Sequence, residues 1–215
     1  MIQNILFDLD GTIIDSKTGI FNSIAYALDK MGVQMPEEKV LMRFLGPPLV
    51  YSFQEYIGMS EEDAVKAVAL YRENYAPRGM FEFEVYPGVE TMLKKLTASG
   101  RRCYLATSKP EVYAEEILKK AGLRDYFTDV TGSLIPAGRD DKLEVITHLM
   151  HKANITAEDS VMVGDRFYDI EGAHKAELLA IGVTYGFGSA KELNRAGADV
   201  LVSSCKELTA VVMKV

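Results

Sequence analysis

The stretch Ile5-Leu6-Phe7-Asp8-Leu9-Asp10-Gly11-Thr12 closes an apolar, strand-forming run with two carboxylates at alternate positions. Three further stretches could do chemistry with them. Thr107-Ser108-Lys109 follows the apolar run Cys103–Ala106, Lys142 stands near the start of a helical pattern, and Asp165 and Asp169 follow the run Val161–Val163. Clustered carboxylates raise one another's pKa unless a cation neutralises them. With oxygen donors and no clustered Cys or His, the fitting ion is hard, Mg²⁺ before Zn²⁺, and Mg²⁺ takes one or two carboxylates together with a substrate phosphate. A hydroxyl and an ammonium beside it suit a phosphoryl group, whose transfer depends on positioning and charge stabilisation. One carboxylate can act as nucleophile, forming an aspartyl phosphate, while a second protonates the leaving oxygen and later deprotonates water. Asp8 and Asp10 could supply both roles within one turn.

The elements that must position these residues are short. Ile5–Leu9, Cys103–Ala106, Val161–Val163, Leu179–Val183 and Val200–Val202 read as strands, and the first four lead through loops with Gly, Ser or Asp into helical patterns. Continuous apolar strands alternating with helices predict a doubly wound parallel α/β sheet, Rossmann-like, buried on both faces. Ligands of such sheets bind beyond the carboxyl ends of the strands, where the candidate residues fall. Between Ser16 and Met80 only helical patterns occur. Ile20, Ile24, Leu28 and Met31 share one face with Ser16 as the expected cap, Pro36-Glu37-Glu38 reads as a first helical turn, and Ser60 with Asp63 as a capping box opening a helix over Glu61–Tyr75. The expected organisation is a core of residues 1–15 and 81–215 with an inserted α-helical cap over 16–80, hinged near Ile14–Thr18 and Gly79–Tyr86. Asp140 and Asp141 are expected in the first turn of a later helix.

Taken in order, "DLDGT", "LATSK", "DDK" and "GDRFYD" resemble the four motifs of the haloacid dehalogenase (HAD) superfamily, over essentially the whole chain. The insertion resembles its C1-type helical cap, and "FLGPPL" (Phe44–Leu49) and "GVTYGFGS" (Gly182–Ser189) are similar to the phosphoglycolate-phosphatase-like branch. The resemblance implies a cap that closes over the site and opens for release, Asp8 as nucleophile and Mg²⁺ ligand, and Asp10 as general acid/base with its backbone carbonyl on the metal. It implies Thr107 on the phosphoryl oxygens, Lys142 neutralising charge, and Asp165 and Asp169 at the metal. Leu143 follows Lys142 where many relatives carry proline, so Lys109 remains an alternative as the neutralising lysine. Ser108 and Lys109 join Thr107 as candidate substrate contacts, and Arg43 of the cap is a candidate for a non-reacting anionic group of the substrate, against the alternative of a snorkelling helix residue. Arg72 and Arg78 lean towards that alternative.

The resemblance also separates reactions. Dehalogenases do not use an acid/base at Asp10, phosphonatases lack that second aspartate, and P-type pumps carry Lys-Thr in place of Leu9-Asp10. A phosphomutase of the β-phosphoglucomutase kind would carry a histidine in the first cap helix, and Lys17–Lys30 has none. Phosphomonoester hydrolysis is the expected activity, with a phosphomutase or pyrophosphatase of the same superfamily as alternatives. A phospho-aspartate receiver module is disfavoured because both aspartates close the first strand and a large insertion follows.

Other features read blandly. His148 and His151 lie three apart on a helix with no evident third ligand, and His174 packs or faces solvent. Gly186 and Gly188 read as a strand-to-helix connection at the rim of the site, and Met42, Tyr51 and Tyr75 as core or lining of the cap. A net charge of −7 and a pI near 5.1 speak against a nucleic-acid surface. Cys103 and Cys205, far apart and outside any metal-binding spacing, read as reduced thiols. Neither a signal peptide nor a membrane-spanning run is visible, so a cytoplasmic protein is expected, monomer or homodimer, acting on a small phosphorylated metabolite.

Overall fold

The computed structural model describes residues 2–135, 138–139 and 141–214, and the chain divides into two compact units, Met1–Asp15 with Val85–Val215 and Ser16–Glu84. In chain order the elements are β1 (Asn4–Phe7), β2 (Ile14–Asp15), α1 (Lys17–Lys30), α2 (Glu38–Leu41), α3 (Leu49–Ile57), α4 (Glu61–Tyr75), β3 (Glu84–Val85) and α5 (Val89–Ala98). They continue with β4 (Arg102–Pro110), α6 (Glu111–Lys120), β5 (Phe127–Ser133), α7 (Lys142–Ala153), β6 (Ser160–Gly164), α8 (Phe167–Lys175), β7 (Leu179–Val183), α9 (Ala190–Ala196), β8 (Val200–Val202) and α10 (Cys205–Val212).

Six strands of the first unit form one parallel sheet in the order β5-β4-β1-β6-β7-β8. The fold is α/β and Rossmann-like. Ile5, Leu6 and Phe7 are all fully buried, as a central strand covered on both faces requires. On one face Leu6, Tyr104, Met162 and Ala180 pack with Val145, Ile146 and Leu149 of α7, Ile170 of α8 and Leu193 of α9. The chain runs outward from β1 through β4 to β5, then crosses to β6 on the other side of β1 and continues to β8. The carboxyl ends of β1, β4 and β6 therefore frame a topological switch point, where connections diverge and leave a crevice.

The second unit is helical. Phe44 packs edge-on against Phe53 and Tyr56 at centroid separations of 5.2 and 5.6 Å, and Tyr71 stacks on Tyr75 at 5.0 Å. Ser60 Oγ accepts from the Asp63 amide at 3.1 Å and starts α4 at Glu61 as expected. Ser16 stands at the expected N-cap position of α1, but its side chain makes no capping bond: its backbone leaves the extended region, and its buried hydroxyl has no hydrogen-bond partner. The helix expected from Pro36 begins only at Glu38, with Glu37 at the extended cap position, and lasts four residues before tightening into a 3₁₀ turn over Met42–Phe44. The strands β2 and β3 pair in a two-stranded ribbon.

One strand of the main sheet lacked a recognisable pattern. β5 lies at the sheet edge and carries Thr128, Asp129, Thr131 and Gly132, so it lacks the apolar run of its neighbours. Asp141 is the N-cap of α7, extended and accepting from the Leu143 amide at 2.7 Å, instead of a first-turn residue. Asp140 lies outside the described residues.

Candidate active site

Asp8 is the first residue after β1, its amide bonded to the Val163 carbonyl of β6 at 2.9 Å. Its Oδ1 accepts from Lys142 Nζ at 2.8 Å. Lys142 is the first residue of α7, and the same ammonium reaches Asp169 Oδ1 at 2.8 Å and the Ala106 carbonyl at 3.0 Å. The ammonium thus donates hydrogen bonds to Asp8 and to the Ala106 carbonyl and forms an ion pair with Asp169. A Cβ on Gly172 of α8 would come within 2.8 Å of Lys142 Cγ, so the glycine makes room for the buried lysine stem. Lys142 and not Lys109 is therefore the lysine beside Asp8. Lys109 pairs with Asp10, Nζ to Oδ2 at 2.7 Å.

Asp165 follows β6 and is fully buried. Its Oδ2 accepts from the Phe187 amide at 2.7 Å, while Oδ1 is buried with no hydrogen-bond partner. A Cβ on Gly186 would overlap the Gly11 carbonyl oxygen and crowd the Asp165 carboxylate. The loop after β7 is thus a backbone cradle around Asp165, a closer role than the rim connection expected of its glycines. Phe187 gives no sign of this in the sequence, because its contribution is a main-chain N–H; the flanking glycines were the available signal. Asp169 lies in the first turn of α8, where Oδ2 accepts from the Arg166 amide at 3.1 Å.

Oxygens of Asp8, Asp165 and Asp169 lie within 4.8 Å of one another. Burial lifts the pKa of Asp8 to about 6, opposed by Lys142 and reinforced by Asp169 and Asp10. Burial and the same two neighbours, Asp169 and Asp8, hold Asp165 well above the usual carboxylate range. Burial by itself would lower the Lys142 pKa, but Asp169 and Asp8 outweigh it and hold the lysine charged. Counting Asp10 and Lys109, four carboxylates face two ammoniums when all are ionised, a deficit that one divalent cation would close. The donors are all oxygen and one, Asp165 Oδ1, is buried and unsatisfied, so the residues fit a hard ion such as Mg²⁺.

Thr107 is buried near the end of β4, its Oγ1 accepting from the Lys109 amide at 3.2 Å, and Ser108 follows it half-buried. Arg43 belongs to the helical unit, exposed, its guanidinium 4.0 Å from the centre of the Tyr56 ring. Tyr51, expected as core or lining, is about half exposed, whereas Tyr75 is buried. Arg72, His148 and His151 are exposed on their helices, and Arg78 is exposed in the turn after α4. His174 pairs with Asp199 at 3.1 Å. Both cysteines are buried free thiols.

Fold and site define an α/β protein with clustered, buried carboxylates at the switch point of a parallel sheet. Residues 5–183 match the haloacid dehalogenase-like hydrolase family, and the chain belongs to it. It is 40% identical over 190 residues to a 5'-nucleotidase of Pseudomonas aeruginosa, covering 88% of this chain and 86% of that protein. A phosphoglycolate phosphatase of Vibrio parahaemolyticus is 29% identical over 98% of this chain and 96% of its own. The crystal structure of a predicted phosphatase from Clostridium acetobutylicum superimposes with a TM-score of 0.95 at 42% identity, covering both chains completely. No helix among the described residues is long and apolar enough to cross a membrane.

Proposed function

We propose that the protein is a Mg²⁺-dependent phosphatase that hydrolyses a small phosphomonoester through an aspartyl phosphate on Asp8. The observation that carries this reading is the position of Asp8, which follows the central strand with Lys142 at 2.8 Å and buried Asp165 and Asp169 alongside. Asp8 Oδ2, the oxygen not held by Lys142, attacks phosphorus as the bond to the leaving oxygen breaks, and Asp10 delivers a proton to that oxygen. Water then attacks the phosphoryl group, gives its proton to Asp10, and the bond to Asp8 breaks to release inorganic phosphate. Lys142 trades one of its carboxylate contacts for a phosphoryl oxygen, and the Thr107 hydroxyl donates to another. Asp8, the Asp10 carbonyl, Asp165 and Asp169 would hold Mg²⁺, which when bound offsets their charge and polarises the phosphoryl oxygens.

The names of the relatives support a substrate that is either a nucleoside monophosphate or a short phosphorylated acid. Arg43, exposed and braced on Tyr56, is the cap residue for the substrate's non-reacting part, and the helical unit supplies selection. The test is a panel of phosphorylated metabolites with Mg²⁺, ranked by kcat/KM, with Asp8→Asn as control. The substitution is expected to remove turnover, as is complete chelation of metal. Activity that survives either would overturn the mechanism. Arg43→Ala should raise KM for phosphoglycolate more than for a phosphate with a neutral tail, and an equal effect on both would leave Arg43 a packing residue.

A further inference from the structure

Lys109 and Asp10 form an ion pair inside the proposed catalytic centre, Nζ to Oδ2 at 2.7 Å. The lysine side chain is only 7% exposed, and Asp10 Oδ1 is buried without a hydrogen-bond partner. A carboxyl that must deliver a proton to a leaving oxygen needs one of its oxygens within reach of that atom. Here one oxygen is bound by an ammonium and the other is sealed in protein. Asp10 must therefore leave Lys109 before it can serve. Stripping a nearly buried ammonium of its anion is costly, whereas exchanging one anion for another is not. The natural trigger is a second anion.

We propose that Lys109 is a specificity latch on Asp10. It holds the carboxyl until an anionic group on the substrate, distinct from the phosphoryl being cleaved, takes the ammonium and frees Asp10 to act. Substrates with an anionic tail are thereby favoured in kcat as well as in KM, and Lys109 is a positioning residue for Asp10. Its place on β4, two residues beyond Thr107, puts it next to where the phosphoryl group binds. The inference rests on the acid/base reading of Asp10.

The test uses two substrates of nearly equal shape, phosphoglycolate and ethyl phosphate, whose poor leaving groups both need a proton. In the unaltered protein with Mg²⁺, kcat for phosphoglycolate should exceed that for ethyl phosphate by about tenfold or more, within the range that acid–base assistance supplies. Lys109→Met should raise kcat for ethyl phosphate several-fold and bring the two kcat values together, while KM for phosphoglycolate rises. Lys109→Arg, which keeps the charge and the exchange, should preserve the difference in kcat. If Lys109→Met raises KM for phosphoglycolate and leaves kcat for ethyl phosphate unchanged, Lys109 only binds the tail and the latch is wrong. A parallel fall of both kcat values would make it a structural residue and overturn the proposal equally. Asp10→Asn separates the readings: if it leaves turnover intact, the acid/base role fails, whereas its loss of turnover with no change in selectivity at Lys109→Met rejects the latch alone. Hydrolysis of neither compound by the unaltered protein would count against an anionic-tailed substrate and with it the latch.

Discussion

Lys142 lies within 3.0 Å of three protein oxygens, two of them carboxylate oxygens, and it is almost wholly buried. Replacing it with methionine would leave Asp8 and Asp169 uncompensated, and should destabilise the metal-free protein by about 3–5 kcal/mol in urea unfolding. Asp165→Asn should do the reverse. It removes a buried charge held close to Asp8 and Asp169, so the metal-free protein should gain about 1–2 kcal/mol while losing its thermal response to Mg²⁺. A loss of stability on that substitution would mean that the carboxylate is satisfied without a cation. Proton linkage adds a third expectation. The folded pKa of Asp8, about 6, exceeds its ordinary value of 3.8, so the folded state binds more protons across that window. Metal-free stability should therefore fall as pH rises from 4 to 6, by at most about 3 kcal/mol from this group. Asp199, Glu158 and Glu207 are held below their ordinary values, so what they contribute is lost only in more acidic solution. Tm without metal should then be higher at pH 5 than at pH 7.5, and Mg²⁺ should raise it more at pH 7.5. The opposite order would place Asp8 among ordinary solvated carboxylates.

At the scale of elements, the loop after β7 acts on the site through its backbone. Gly186→Ala would push a methyl group into the Gly11 carbonyl and the Asp165 carboxylate, and neither can yield without moving the cradle. Apparent Mg²⁺ affinity, followed by thermal shift, should weaken about 10- to 100-fold, the usual cost of disturbing what orients a ligand. Unchanged affinity would show that Asp165 is oriented by something other than this loop. The same element marks where the sequence stops being legible. Asp8, Asp10, Thr107, Lys142, Asp165 and Asp169 announce themselves because the proposed chemistry needs particular side chains at strand ends and in the first turns of α7 and α8. Phe187 does not, because any residue but proline carries the N–H that Asp165 accepts. β5 was hidden for another reason: an edge strand tolerates Thr, Asp and Gly, which erase the apolar run that betrays β1 and β6. Ser16 marks the start of α1 without a capping bond, and Pro36 carries the right residue type for a helix start that the backbone delays to Glu38. Short helical pieces take their limits from tertiary packing more than from propensity.

For the whole molecule, the order of β-strands brings together residues separated by most of the chain: the Asp8–Lys142 pair spans 134 positions. The parallel sheet does this by placing β1 between β4 and β6, so that three strand ends and the start of α7 meet. The helical unit is spliced into the chain between Asp15 and Val85, and the strands on either side of it, β2 and β3, run side by side. An insertion that leaves and returns at neighbouring points is a cassette. The two residues of β2 and the two of β3 could be joined by a tight turn, or by a different set of helices, without re-threading any strand of the sheet. Under the proposed function, substrate selection could on this plan be exchanged wholesale, as one contiguous piece of gene, while Asp8, Asp165 and Asp169 stay where they are.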